Sequence, residues 1–136
     1  MEQQLAILLA DLSGYTALTE AHGAVSAADL VDKFVRIAGS CLQGNSRLQE
    51  RNGDEIMIVA DSPDHLLETA IQIMQRAAAE EHFLQVHGGL HIGNVLQRHS
   101  SYFGAAINLT ARIASKAAPG TFWCSGDIMK QLSGNA

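Results

Sequence analysis

Residues 48–60 read LQERNGDEIMIVA. Polar residues crowd the first half, Gly53 sits among them, and an unbroken apolar run closes the stretch. Asn52-Gly53 is a two-residue hairpin signal, because both residues tolerate positive φ. The stretch predicts an antiparallel hairpin with its tip at Asn52-Gly53 and a buried second strand over Ile56, Met57, Ile58 and Val59. Ser or Thr would turn a chain as well, so Glu50, Arg51, Asp54 and Glu55 around one turn raise a chemical question. A solvated hairpin tip answers it, and so does a charged binding site.

Upstream, Leu5 to Ala10 is an apolar run of strand length, as expected of a strand buried on both faces. Asp11 closes it and Ser13-Gly14 turns the chain. A long helix is predicted from about Ser26, capped by Ser26 with Asp29 in its first turn. Leu30, Phe34, Ala38 and Cys41 mark its buried face. Downstream, Pro63 suits the first turn of a second helix with a face of Leu67, Ala70, Ile71, Met74 and Ala77/Ala78. A strand follows from about Val86 to Leu96, interrupted near Gly93. Then come a helix from about Ala105 to Ala117 stopped by Pro119-Gly120, a short strand over Thr121 to Cys124, and a short helix over Asp127 to Leu132. The order β, α, β, β, α, β, α, β predicts an α+β fold. It is a ferredoxin-like antiparallel sheet with helices packed on one face. No repeat, linker or low-complexity segment divides the chain, so residues 1–136 are expected to form one domain.

The 136 residues, 47% hydrophobic and 17% charged, are those of a globular chain. A net charge of −5 argues against nonspecific nucleic-acid binding, which needs basic patches. It leaves room for a phosphate held by placed cations and a metal. Cys41 and Cys124 fit no metal or redox spacing and fall in apolar segments, which predicts buried free thiols in a reducing compartment. No apolar run approaches the ~20 residues that span a bilayer. The N-terminus lacks the basic start and cleavage site of a signal peptide, so the cytoplasm is the expected compartment.

Two carboxylates stand at strand ends. Asp11 closes the first strand and Asp54 opens the strand after the hairpin. If those strands are neighbours, the pair can share Mg²⁺ or Mn²⁺, which prefer hard oxygen ligands completed by substrate phosphates. Either residue alone is equally a turn or strand-end residue. Leu12, Ser13, Gly14, Tyr15 and Thr16 lie between strand and helix, where backbone N–H groups can cradle a phosphate. No P-loop or dinucleotide-binding glycine motif is present. Asn108 and Arg112 share one helix face and offer an amide and a guanidinium to a phosphate or a developing negative charge, or else form an exposed polar stripe. His87 and His91 point to one side of a strand, and without a third ligand such a pair more often packs or hydrogen-bonds. Trp123, beside Phe122, is expected in the core.

Three segments, taken together and in order, resemble the catalytic domain of the class III nucleotide cyclases in its bacterial form. They are ILLADLSGYTALTE (7–20), QERNGDEIMIV (49–59), and GLHIGNV (89–95) followed by YFGAAINLTARIASKAAPGTFWCS (102–125). The resemblance covers about Leu5 to Ser125. It implies that Asp11 and Asp54, with the backbone carbonyl of Leu12, hold a two-ion Mg²⁺ or Mn²⁺ site. It also implies that Asn108 and Arg112 hold the ribose and stabilise the transition state. In the family these groups come from opposite subunits, so a head-to-tail homodimer is implied. The two base-selecting positions are Glu50 and Ser101. Adenylate cyclases commonly carry Lys and Asp (or Thr/Ser) there, and guanylate cyclases carry Glu at the first and usually Cys at the second. A carboxylate accepts from guanine N1–H and the 2-amino group, and a hydroxyl donates to O6. Adenine presents an acceptor at N1, and a mismatched polar site of this kind rejects the wrong ligand by up to ~10⁴-fold.

The resemblance therefore implies a purine nucleotide cyclase that converts a nucleoside triphosphate to the 3′,5′-cyclic nucleotide and pyrophosphate, with GTP favoured over ATP. The alternative is a weak or inactive cyclase-homology domain acting as a nucleotide-binding or regulatory dimer module. One departure bears on this choice. Family domains continue with two more strands and a lysine that contacts the triphosphate, and the chain is expected to lack both. Neither Lys116 nor Lys130 stands at that position.

Overall fold

The computed structural model describes residues 2–133. The ends of the predicted domain, residue 1 and residues 134–136, lie outside the described residues. Strand β1 (Glu2–Leu12) leads into helix α1 (Tyr15–Ser40). The hairpin β2 (Arg47–Asn52) and β3 (Glu55–Ala60) follows, then α2 (Pro63–Ala79), β4 (Val86–Arg98) and β5 (Ser101–Phe103). Helix α3 (Ala105–Lys116), strand β6 (Phe122–Cys124) and helix α4 (Gly126–Met129) complete the order. One open sheet runs β2-β3-β1-β4-β5, and β6 joins the outer edge of β4 in parallel, opposite Gly88–Leu90. The α+β class holds. The sheet is mixed and not wholly antiparallel, because the α3 crossover returns the chain to the same edge of β4 in the same direction.

Strand β1 is apolar from Leu5 to Ala10 because it is covered on both faces there. Ala6, Leu8, Ala10 and Leu12 pack with Val31 and Phe34 of α1, Leu66 and Ile73 of α2, and Ile128 of α4. Leu5, Ile7 and Leu9 pack with Ala106 and Ala114 of α3. The expectation of helices on one face thus holds for α1, α2 and α4 and fails for α3. What seats α3 on the far face is a track of glycines. A Cβ on Gly89 would stand 2.6 Å from the Ala114 nitrogen, and one on Gly93 would stand 2.7 Å from the Ala106 Cβ. Gly93 therefore clears a path for the helix and does not interrupt β4, whose pairing with β1 runs unbroken from Val86 to Leu96.

Other boundaries shift for identifiable reasons. Helix α1 starts at Tyr15, after Gly14 in the left-handed region (φ 80), and is kinked at Gly23 (φ 87). Ser26 is inside it. The segment before the kink is largely exposed, so no buried periodicity announces it. The hairpin turn is Gly53-Asp54, closed by the pair Asn52 and Glu55, one residue later than expected. Only Gly53 takes positive φ (62), the pattern of a II′ turn. Helix α2 buries Leu66, Thr69, Ala70, Ile73 and Ala77 and leaves Ile71 exposed, because its apolar residues offer two overlapping stripes one position apart. Strand β5 is additional to the predicted order. Its hairpin turns on His99 and Ser100 at φ 52 and 68, without the glycine that signals such a turn.

Candidate functional site

The ends of β1 and β3 meet beside the hairpin turn. The Ala10–Ile56 register brings Asp11 and Leu12 level with Glu55 and Asp54, and the Leu12 N–H donates to Asp54 Oδ2 at 3.2 Å. On the other flank, Asp11 faces His87 of β4. His87 Nδ1 lies 2.9 Å from the Ala114 carbonyl, which only accepts, so that nitrogen carries the proton. Its Nε2 stands 2.5 Å from Asp11 Oδ1. That Oδ1 is buried, and His87 is its ion-pair partner across the strands.

Burial pushes the Asp11 carboxyl above the usual carboxylate range. His87 opposes that rise, and the charge on Asp54 adds to it. Glu55 is raised by burial and then by Asp11 and Asp54. Three carboxylates thus crowd one strand end with a single imidazole for relief. Among the described residues no three His, Cys, Asp or Glu side chains form a ready-made metal cage. Two carboxylates, one of them with a buried oxygen, and excess negative charge are a donor set suited to a hard divalent cation that takes its remaining ligands from a phosphate chain.

The strand-to-helix turn offers a smaller cradle than expected. The Leu12 N–H is taken by Asp54 and the Ser13 N–H by the Gln85 carbonyl. What remains is the first turn of α1, where Tyr15 and Thr16 follow Gly14. That helix start has no side-chain cap, and first-turn N–H groups have no intrahelical partner. Ser13 Oγ is also buried without a partner among the described residues. These groups could receive an anion at the positive end of a helix.

Asn108 and Arg112 do not join this cluster. Helix α3 buries Ala106, Thr110 and Ala114. Positions two residues away lie on the opposite side of a 3.6-residue helix, and both Asn108 and Arg112 are exposed. Arg112 borders a cleft of about 710 Å³ with His91, Phe103 and Asp127, and a second of about 320 Å³ with Leu109, Lys116 and Trp123. Asp11 and Asp54 line neither. Trp123 is 47% exposed and Phe103 53% exposed, so Trp123 is a surface residue beside Arg112 and not core.

Glu50 lines a small cavity of about 90 Å³ with Leu9, Asn52, Glu55 and Met57 on the α3 face. Ser101 opens β5 directly after the hairpin tip. Although β2 and β5 end opposite sides of the strand order, they touch on this face. Gln49 Nε2 donates to the Ser100 carbonyl at 3.1 Å, and Arg47 Nη2 to Tyr102 Oη at 3.4 Å.

No family model matches the chain. It is 33% identical over 117 residues to an adenylate cyclase of Glutamicibacter nicotianae, a match covering 85% of this chain and 29% of that protein. The guanylyl cyclase domain of the RhoGC fusion protein from the aquatic fungus Blastocladiella emersonii superposes with a TM-score of 0.83 at 17% identity, covering 96% of this chain and 85% of that one. The chain has the class III nucleotide cyclase fold. An adenylate cyclase of Trypanosoma brucei shares it, with a TM-score of 0.81 at 22% identity over 96% of this chain and 75% of that one. The chain spans about a third of the length of the curated relatives it matches.

Within this cyclase fold, two site neighbours escape a reading of motifs. His87 is found by following the register from Asp11 to the adjacent strand, which needs the β1–β4 pairing. Glu55 looks like a turn residue in the sequence and is half-buried beside Asp11 and Asp54 in the cyclase domain. No helix among the described residues is long and apolar enough to cross a membrane.

Proposed function

We propose that this chain, as one class III cyclase domain over residues 1–136, converts a purine nucleoside triphosphate to its 3′,5′-cyclic nucleotide and pyrophosphate in the cytoplasm, preferring GTP to ATP. The observation that carries the reading is the sidedness of the two functional groups. Asp11 and Asp54 gather at one strand end, while Asn108 and Arg112 point away from their own sheet. Each half lacks what the other holds, which supports a head-to-tail homodimer whose two sites each combine Asp11 and Asp54 of one protomer with Asn108 and Arg112 of its partner.

In the reaction the ribose 3′ oxygen forms a bond to the α-phosphorus as the bond to pyrophosphate breaks, and the hydroxyl proton leaves to water. The chemistry supplied by Mg²⁺ or Mn²⁺, held at Asp11, Asp54 and the Leu12 carbonyl, is a lowered hydroxyl pKa and neutralised phosphate charge. Asn108 orients the ribose. Arg112 donates to the α-phosphoryl oxygens as charge develops on them. The first-turn amides after Gly14, with Ser13 Oγ, receive phosphate oxygens. Glu50 accepts from guanine N1–H and the 2-amino group, and Ser101 donates to O6. A neighbour of the same fold is a guanylate cyclase domain of Catenaria anguillulae in complex with GTP, which agrees with a guanine site on this scaffold.

The test is purified protein with Mn²⁺ and either GTP or ATP, with cyclic product separated by chromatography. More cyclic GMP than cyclic AMP is expected. Product from ATP alone refutes the base assignment. No product from either, with thermal stabilisation by nucleotide, assigns the chain to binding and regulation instead.

A further inference from the structure

Gln49 is the extra residue of a β-bulge. On β2, Arg47 and Leu48 pair with Val59 and Ile58, and pairing resumes at Glu50 with Met57. Directly opposed residues share a sheet face. Leu48 and Ile58 therefore face α1 and α2, while Glu50 and Met57 face the α3 side. The two-residue turn sets Asn52 opposite Glu55, Arg51 opposite Ile56 and Glu50 opposite Met57, and in an unbulged ladder Leu48 would follow on the same face as Glu50, opposite Val59. Arg51, which pairs with Ile56, reaches Asp32 of α1 at 3.4 Å on the face opposite Glu50. The turn register delivers Glu50 to the cavity with Leu9, Glu55 and Met57, and the bulge at Gln49 lets Leu48 pack on the opposite face.

The bulged residue is also tied down. Its amide donates to the Ser100 carbonyl at 3.1 Å. His99 and Ser100 form the two-residue loop between Arg98 and Ser101, both at positive φ. That conformation favours Gly or Asn, so this tip depends on contacts from outside it. One side chain thus joins the residue before Glu50 to the residue before Ser101.

We infer that Gln49 is a positioning residue for base recognition. Its side-chain amide holds Ser101 in register with Glu50, so that both edges of guanine are met together. The inference rests on reading Glu50 and Ser101 as the base-contacting pair.

Gln49→Met keeps the length and loses the donor, and Gln49→Lys restores a donor. KM and kcat for GTP and ATP, and the affinity for each nucleotide by fluorescence titration, are measured for both variants and for Glu50→Gln. Loss of this exposed hydrogen bond predicts a rise in GTP KM and Kd of about three- to tenfold in Gln49→Met. ATP values and kcat stay within about twofold, and Gln49→Lys recovers most of the loss. An unchanged GTP-to-ATP ratio in Gln49→Met, with wild type preferring GTP and Glu50→Gln losing that preference, overturns the role of Gln49 alone. An equal loss of kcat for both nucleotides overturns it too, since that is the mark of a general structural role. A wild type without GTP preference, or a preference untouched in Glu50→Gln, overturns the base reading and this inference with it.

Discussion

A composite site can be rebuilt from two broken chains. Asp54→Ala removes the carboxylate that faces the Leu12 N–H, and Arg112→Ala removes the guanidinium on the outer side of α3. In the proposed head-to-tail homodimer, each variant alone spoils both sites. Removing a group that stabilises developing charge costs about 10²–10³-fold in turnover. In an equal mixture that has exchanged subunits, about half of the dimers are mixed. Each mixed dimer carries both lesions in one site and neither in the other. The mixture is therefore expected to show about a quarter of wild-type activity per chain, one intact site in four. The assay is cyclic nucleotide formation after joint unfolding and refolding, or after co-expression with two tags. Asp54→Ala also leaves the Leu12 N–H without its acceptor, a loss of about 1 kcal/mol that a melting curve should register without unfolding the chain. A mixture no more active than the average of its two components refutes the shared site, even if each variant alone is inactive.

Three further outcomes are expected. Glu50→Lys combined with Ser101→Asp should move preference from GTP toward ATP, read as the ratio of kcat/KM values, and an unchanged ratio would separate both residues from the base. Gly89→Ala should lose about 1–3 kcal/mol in urea unfolding, because its new Cβ would meet the Ala114 nitrogen at 2.6 Å and the Ile113 Cγ2 at 2.8 Å. His91 is buried, with Nδ1 bonded to Ser125 Oγ at 2.7 Å, and burial holds its pKa below the ordinary value while Asp127 opposes the shift. The unfolded chain then takes up the proton first, so this contribution is complete above about pH 6.5 and is lost as pH falls below it. His91→Gln should flatten the fall of the urea midpoint between about pH 7.5 and pH 5.5.

What was legible in the sequence depended on residues close to one another along the chain. Asn52-Gly53 with the apolar run behind it announced the hairpin, and the run from Leu5 to Ala10 announced a doubly covered strand. Asp11 and Asp54 could be paired because each sits at the end of one of those strands. The features that escaped are set across strands. Leu48, Gln49 and Glu50 alternate in sequence like any strand, so the bulge shows only against Met57 and Ile58. His87 becomes a partner of Asp11 only once β4 lies beside β1. The side taken by α3 was within reach, however. A strand apolar on both faces needs cover on both, and glycines four apart on β4, with Ala106, Thr110 and Ala114 on the helix, mark a close seat. Once those small residues face the sheet, helical geometry turns positions 108 and 112 outward. The outward placement that the proposed head-to-tail dimer relies on therefore follows from the glycines and alanines under α3, before any charged residue is considered. An α3 seated on its polar side would have buried Asn108 and Arg112 against β4 and left the alanine stripe facing water, so the packing of α3 and the outward placement of those two residues are one choice.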